Sequence, residues 1–131
     1  MKDLICDEFQ ESVGKYLIRH RSILDVLSKI QEAAARTNRA VVKGVTSCGC
    51  LEIRAQRQRI PAEANLEQAL SFLSTHLQGQ LCSECRERVE EELGNLLFYV
   101  AALGNLLDIN LYDVILKEQE RLLALGPFRL S

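Results

Sequence analysis

At 131 residues and 14.8 kDa the chain has the length of one domain, and a chain of this size buries roughly 65–70% of its unfolded surface, so it folds without a covalent or metal staple. Hydrophobic residues at 47% and charged residues at 26% exclude a largely disordered chain, while aromatics at 5% and only 2 Pro disfavour an all-β sandwich or barrel. A net charge of −2 excludes a global electrostatic footprint for nucleic acid or for an anionic membrane surface.

The first residues, MKDLICDEFQ, carry acids where a secretory signal needs a basic start and an apolar run, and no stretch has the roughly 20 uninterrupted apolar residues of a membrane span. A cytoplasmic protein is expected. Leu4, Ile5, Phe9, Val13, Leu17 and Ile18 follow three- and four-residue steps, which predicts a first amphipathic helix over about 4–18. Ser22 and Asp25 have the form of a capping box, and Ile23, Leu24, Leu27, Ile30, Ala34, Val41, Val42 and Val45 carry a second helix to about Val45. From Cys50 to Pro61 the pattern is weak; Leu51, Ile53 and Ala55 alternate with polar residues, so both a short extended piece and a helix stay open. Leu66, Ala69, Leu70, Phe72, Leu73 and Leu77 predict a third helix, with Asn65 as N-cap and Gly79 past its end. A fourth helix spans about 83–107, charged in its first half and apolar on nearly every face from Leu96 to Leu107. Such a helix must be enclosed by the rest of the bundle or by another subunit, so a homo-oligomer, dimer or tetramer, is expected through the apolar part of 93–107. The last helix opens at Asn110, with Asp113 at the third position and Ile109 and Val114 as a staple, and closes near Leu125 before Gly126 and Pro127.

Four of the 5 Cys form two close pairs, Cys48-Gly49-Cys50 and Cys82-Ser83-Glu84-Cys85. Cys82 and Cys85 straddle a helix start, where free N–H groups and the positive helix end favour thiolate. Cys48 and Cys50 cannot share a helix face at a two-residue step and must sit on the turn after the second helix, with Gly49 letting the backbone fold tightly. Two half-sites at helix ends are the usual way to assemble a tetrahedral four-thiolate site, so Cys48, Cys50, Cys82 and Cys85 are the predicted ligands of a structural Zn2+. Iron ligation, thiol redox chemistry between Cys82 and Cys85, and simple burial are the alternatives. Cys6 reads as a buried small residue, and His20 and His76 as solvated rather than as extra ligands. Arg54, Arg57 and Arg59 can form a phosphate patch, but with no interleaved aromatics nucleic acid is not the expected partner.

Glu91-Glu92-Leu93-Gly94-Asn95-Leu96-Leu97-Phe98-Tyr99, followed by Ala101 through Leu111, resembles the later helices of the MazG-like nucleotide pyrophosphohydrolases, over about residues 84–120. The resemblance implies an all-α fold with a four-helix core. It also implies facing ExxE and ExxD helices that bind Mg2+ and hydrolyse nucleoside triphosphates to the monophosphate and pyrophosphate. Residues 31–40 of the second helix would take the place of the ExxE helix. Glu92 matches the Glu of ExxD, but Asn95 stands at its Asp, and Arg36 stands at the second acidic position of the other helix. Mg2+ wants charged oxygen ligands, so these exchanges weaken the site. If the chain is an enzyme, Glu32, Glu91, Glu92 and Asp108 are its catalytic candidates around Mg2+, with a nucleotide as substrate. The combined expectation is a single all-α domain over 1–131, a four- to five-helix MazG-like bundle with a Cys-rich loop region between helices two and four, non-catalytic or of altered activity.

Overall fold

The computed structural model describes residues 2–126. Among them, five α-helices and one small sheet follow the order α1 (Lys2–Tyr16), α2 (Ile23–Lys43), a single π-helical turn (Gly44–Cys48), β1 (Leu51–Ile53), α3 (Leu66–Phe72), β2 (Leu77–Gly79), α4 (Ser83–Leu106) and α5 (Leu111–Leu125). Of the described residues, 70% are helical. Pro127, expected to stop α5, lies outside the described residues.

The helix starts follow local side-chain chemistry. Asn65 forms a reciprocal capping box with Gln68, and the Asn110 side chain accepts from the Asp113 N–H. Ser22 caps α2 differently from the expected box: its hydroxyl accepts from the Leu24 N–H at 3.3 Å.

The core lies where α1 and α2 meet α4. Val13, Leu17, Val26, Ala101 and Ala102 are buried together, with Ile30, Phe98, Tyr99, Leu103 and Leu111 packed around them. Small residues on α4 let α1 and α2 approach closely, so the α4 segment that reads as apolar on every face is enclosed over Ala101, Ala102 and Gly104 by the chain itself. The edge-to-face pair Phe98–Tyr99 (centroids 5.1 Å apart, 82° between planes) fills the flank.

α4 ends in a turn held by one buried polar side chain. Gln10, 7% exposed, donates from Nε2 to Ile109 O (2.9 Å) and Asn105 Oδ1 (3.2 Å), and its Oε1 accepts the Leu111 N–H (2.7 Å). Asn105 returns a bond from Nδ2 to Gln10 O at 2.8 Å. The Ile109 N–H bonds Gly104 O at 2.7 Å across Asp108, whose φ of 57° is the left-handed position that terminates a helix.

The third helix is shorter than its apolar periodicity implies. α3 stops at Phe72, and Leu77–Gly79 is a strand antiparallel to β1 in the register Leu51↔Gly79, Glu52↔Gln78, Ile53↔Leu77. The chain is therefore not purely helical, and the alternating Leu51–Ile53 piece is the extended one. Leu77 belongs to a ladder because its partner strand sits 24 residues upstream, a pairing that a periodicity window cannot register.

Replacing Gln10 by Leu leaves the Leu111 N–H and Ile109 O without their partner in a buried turn, which should cost about 1–3 kcal/mol. A drop in the thermal unfolding midpoint of Gln10→Leu, larger than that of the exposed change Glu11→Leu, is the expected result.

Candidate metal centre

Both cysteine pairs sit at ends of the two longest helices, which run antiparallel and bring the C-terminal end of α2 to the N-terminal end of α4. α2 does not stop at a regular cap. It widens into the π turn, closed by Gly49 N–H to Gly44 O at 2.9 Å, and this turn carries Cys48 at its end. Gly49 follows at φ 82°, a conformation that side chains rarely adopt, and reverses the chain so that Cys50 returns towards the same point; its thiol lies 3.7 Å from Gly44 O as donor. Leu51, buried behind Cys50, then enters β1.

On the other side β2 delivers the chain to α4. Gly79 pairs with Leu51 at φ 82°, and a Cβ at this position would stand 2.4 Å from the Cys50 carbonyl oxygen, so only glycine lets β2 lie this close to the cysteine turn. Cys82 is the N-cap of α4, its Sγ accepting the Cys85 N–H at 3.4 Å, and Cys85 sits in the first turn.

The four Sγ atoms of Cys48, Cys50, Cys82 and Cys85 all lie within 4.8 Å of one another, and Cys48 Sγ and Cys82 Sγ are 3.7 Å apart. A tetrahedron with Zn–S bonds near 2.3 Å has edges of about 3.8 Å. The cluster thus has the size of a four-thiolate site, whereas a disulfide would need about 2.05 Å; all four thiols are free. Cys48 is exposed and the other three are half-buried, so the centre lies at the surface with a protein-lined back.

The sulfurs divide negative charge unequally. The Cys85 N–H, followed by the Cys85 thiol, draws the Cys82 thiol down to about 7. Cys85 faces the Cys82 sulfur and is pushed up to about 12. For Cys48 the Cys50 N–H is the largest single influence and pulls downward, but the neighbouring Cys82 and Cys50 sulfurs outweigh it and the thiol is raised. Each half-site therefore offers one sulfur a backbone N–H, the arrangement by which protein dipoles stabilise thiolate at a metal.

Other candidates fall elsewhere. Cys6 is half-buried on α1 and outside the cluster. His76, at φ 60°, accepts the Gln56 N–H at 3.3 Å and pairs with the Gln58 side chain at 2.9 Å. His20 lies 3.8 Å from Asp25 on an exposed surface. Arg54, Arg57 and Arg59 line a polar hollow with His76 and Phe72, where Arg54 is paired with Glu52 at 2.8 Å.

The four carboxylates proposed for Mg2+ do not come together. Glu91 and Glu92 line an open groove of about 980 Å³ between α2 and α4, beside Cys48 and Cys85. Glu32 is absent from that lining; Lys29, by hydrogen bond (3.0 Å) and charge, and Arg36 (2.8 Å) occupy its carboxylate and hold its pKa below the ordinary value. Asp108 is in the cap at the far end of α4, about 20 Å of helix away from Glu92, and borders a separate hollow with Asp7 and Gln10. Among the described residues the cysteine cluster is the one group of at least three potential ligands that converges.

Within the groove Glu92 is unusual. Its Oε2 is enclosed without a hydrogen-bond partner among the described residues, although Arg39, Lys43 and Arg88 line the same groove.

Sequence periodicity missed the π turn and the approach of Gly79 to Cys50. The one sequence signal for them was the pair of glycines next to the cysteine motifs.

No protein-family model, no curated protein and no solved structure matches this chain.

In metal-free protein, Cys82 should be the first of the four clustered thiols alkylated by iodoacetamide and Cys85 the last. The thiolate is the nucleophile, so Cys82 labelling should rise as pH passes upward through about 7 and fade below it, as peptide mass mapping across that range would show.

Proposed function

We propose that this is a cytoplasmic, MazG-like helical protein in which Cys48, Cys50, Cys82 and Cys85 hold one structural zinc ion, and that its role is non-catalytic or of altered activity. The observation that carries the reading is the convergence of four free thiols within 4.8 Å from two half-sites far apart in sequence. Soft thiolate ligands in a tetrahedral set suit Zn2+ and exclude hard cations such as Mg2+. Four protein ligands leave no position open for water, so the ion's work is mechanical: it ties the end of α2 to the start of α4 and closes the segment between them. That segment, residues 51–81, holds few buried side chains of its own, Leu51 being the buried hydrophobic among them. Its geometry then depends on the clamp, and metal affinity becomes folding free energy. Among the described residues no single helix is long and apolar enough to cross a membrane.

Elemental analysis of freshly purified protein should give about one zinc per chain, and Cys82→Ser should lose it. Chelation should lower the thermal midpoint of the wild type and leave Cys82→Ser unmoved. Protein that carries no metal and keeps the same midpoint in chelator would refute the clamp.

A second reading, retained pyrophosphohydrolase activity, is favoured by one observation: the unpartnered Glu92 Oε2 in a groove that also holds Arg39, Lys43 and Arg88. A buried carboxylate oxygen without a partner is costly unless something else satisfies it, and Mg2+ with a nucleotide triphosphate would do so. A panel of nucleoside triphosphates with Mg2+, monitored for pyrophosphate, decides this reading. Activity abolished by Glu92→Gln supports it, and no Mg2+-dependent release from any substrate ends it.

A further inference from the structure

We propose that the hollow lined by Arg54, Arg57 and Arg59 binds the phosphate of a nucleotide, free or as a unit of a single strand, with Phe72 as the platform for its base. This inference rests on neither reading above. The hollow lies past the end of the β1–β2 ladder opposite the cysteines, and it is separate from the groove of Glu92.

The first observation is charge. The chain as a whole is acidic, with a net charge of −2, yet three guanidinium groups line this hollow of about 610 Å³ and, among the described residues, no carboxylate does. Guanidinium groups gathered in this way repel one another, and an anion seated between them removes the repulsion. Glu52 bonds Arg54 at Nε, 2.8 Å away, but is not part of the lining. The planar fork of an arginine matches a phosphate with two parallel N–H bonds. The volume falls within the roughly 300–1,000 Å³ of small-molecule sites.

The second observation is that the arginine stretch is fastened down. Arg54 and His76 extend the β1–β2 register by one pair, with the Arg54 N–H donating to His76 O at 2.8 Å. The Gln56 N–H then donates to His76 Nδ1 at 3.3 Å. Beyond it the Gln58 side chain stands in for a strand: its Oε1 accepts the Ser74 N–H (3.1 Å) and its Nε2 donates to Ser74 O (2.8 Å). These are the two bonds that a facing peptide makes in an antiparallel ladder. Arg57 and Arg59 flank Gln58, so the backbone that carries them is held while their side chains stay exposed. Backbone already held need not be ordered when a ligand arrives, and that preorganisation favours binding.

The third observation selects a nucleotide over a bare anion or an acidic peptide. Phe72, the last residue of α3 and 49% exposed, lines the same hollow. The sequence around the arginines has no aromatic, and the fold brings this one to them from the far end of α3. Phosphate on guanidinium and base on an aromatic face is the pairing by which proteins hold nucleotide units of single strands. The Gln78 side chain, in the same lining, carries both a donor and an acceptor for a base edge.

Calorimetric titration of the full chain with ADP, at low salt and without added Mg2+, should show saturable binding. The double change Arg57→Gln with Arg59→Gln should weaken it about tenfold or more and leave the thermal midpoint in place, whereas Arg19→Gln with Lys117→Gln, which removes the same charge from exposed positions elsewhere, should not. Phe72→Ala should weaken ADP about fivefold or more and leave pyrophosphate binding unchanged, which also shows that this variant keeps its fold. In the unaltered protein, ADP should shift the Nε–H resonances of Arg57 and Arg59. Octa-adenylate bound more than about tenfold tighter than ADP identifies a single strand as the source of the nucleotide, and equal affinities identify the free nucleotide. The proposal is overturned if neither ADP nor octa-adenylate binds saturably, or if both double changes weaken binding alike. Pyrophosphate or octaglutamate bound as tightly as ADP also overturns it, by showing an anion patch with no role for the base.

Discussion

Everything distinctive about this molecule depends on two helix ends being brought to one point. α2 and α4 are antiparallel, so the chain's widest departure from regular helix, the π turn at Gly44–Cys48, meets the N-cap of α4 at Cys82. The antiparallel pair supplies the rigid frame, since its packing against α1 buries the hydrophobic cluster around Val26 and Ala101. Four sulfurs can gather at a rim only because that frame holds the ends of both helices in register. The intervening segment is then a loop whose ends are already together, and its two-stranded ladder, β1 with β2, and the Gly79–Cys50 approach follow from that closure.

The two ends of α4 are built on different physics. At its start the groups that complete the helix are sulfurs, with the Cys85 N–H on Cys82, and their arrangement has the size and softness of a four-thiolate metal site. At its finish the groups are amides: Gln10 and Asn105 exchange hydrogen bonds, and Asp108 takes the left-handed cap. Asp108 has a sufficient structural reason to be where it is. The acidic residues of α4 lie between these ends on a groove shared with basic residues of α2, and there the Glu92 oxygen is the unsettled group.

How much of this could be read in advance varied with the range of the interaction involved. Helices α1, α2, α4 and α5 came within a few residues of their limits because apolar periodicity, Asn110 and the glycine after Leu125 are local signals. The four candidate ligands were legible because close cysteine pairs are rare and chemically specific, and the structure does bring them together. α3 was overextended to Leu77, since Leu73 and Leu77 continue the helical step by accident while Leu77 hydrogen-bonds to a distant strand. The Glu32, Glu91, Glu92 and Asp108 set came from a resemblance covering part of the chain. Its residues separate because Glu32 is held by Lys29 and Arg36 and Asp108 by the helix cap.

The amino-acid sequence by itself determined the helical character of the chain, most helix limits and the two cysteine half-sites, because each is specified by residues within a turn or two of one another. The tertiary structure alone decided that the half-sites share one centre, that β2 reaches Cys50 only through Gly79, that the carboxylates stay apart, and that α5 leans on α1 through its N-terminal end. Those outcomes turn on which helices lie side by side and how close their backbones come, and that is set by the sum of many weak contacts across the chain rather than by any local pattern.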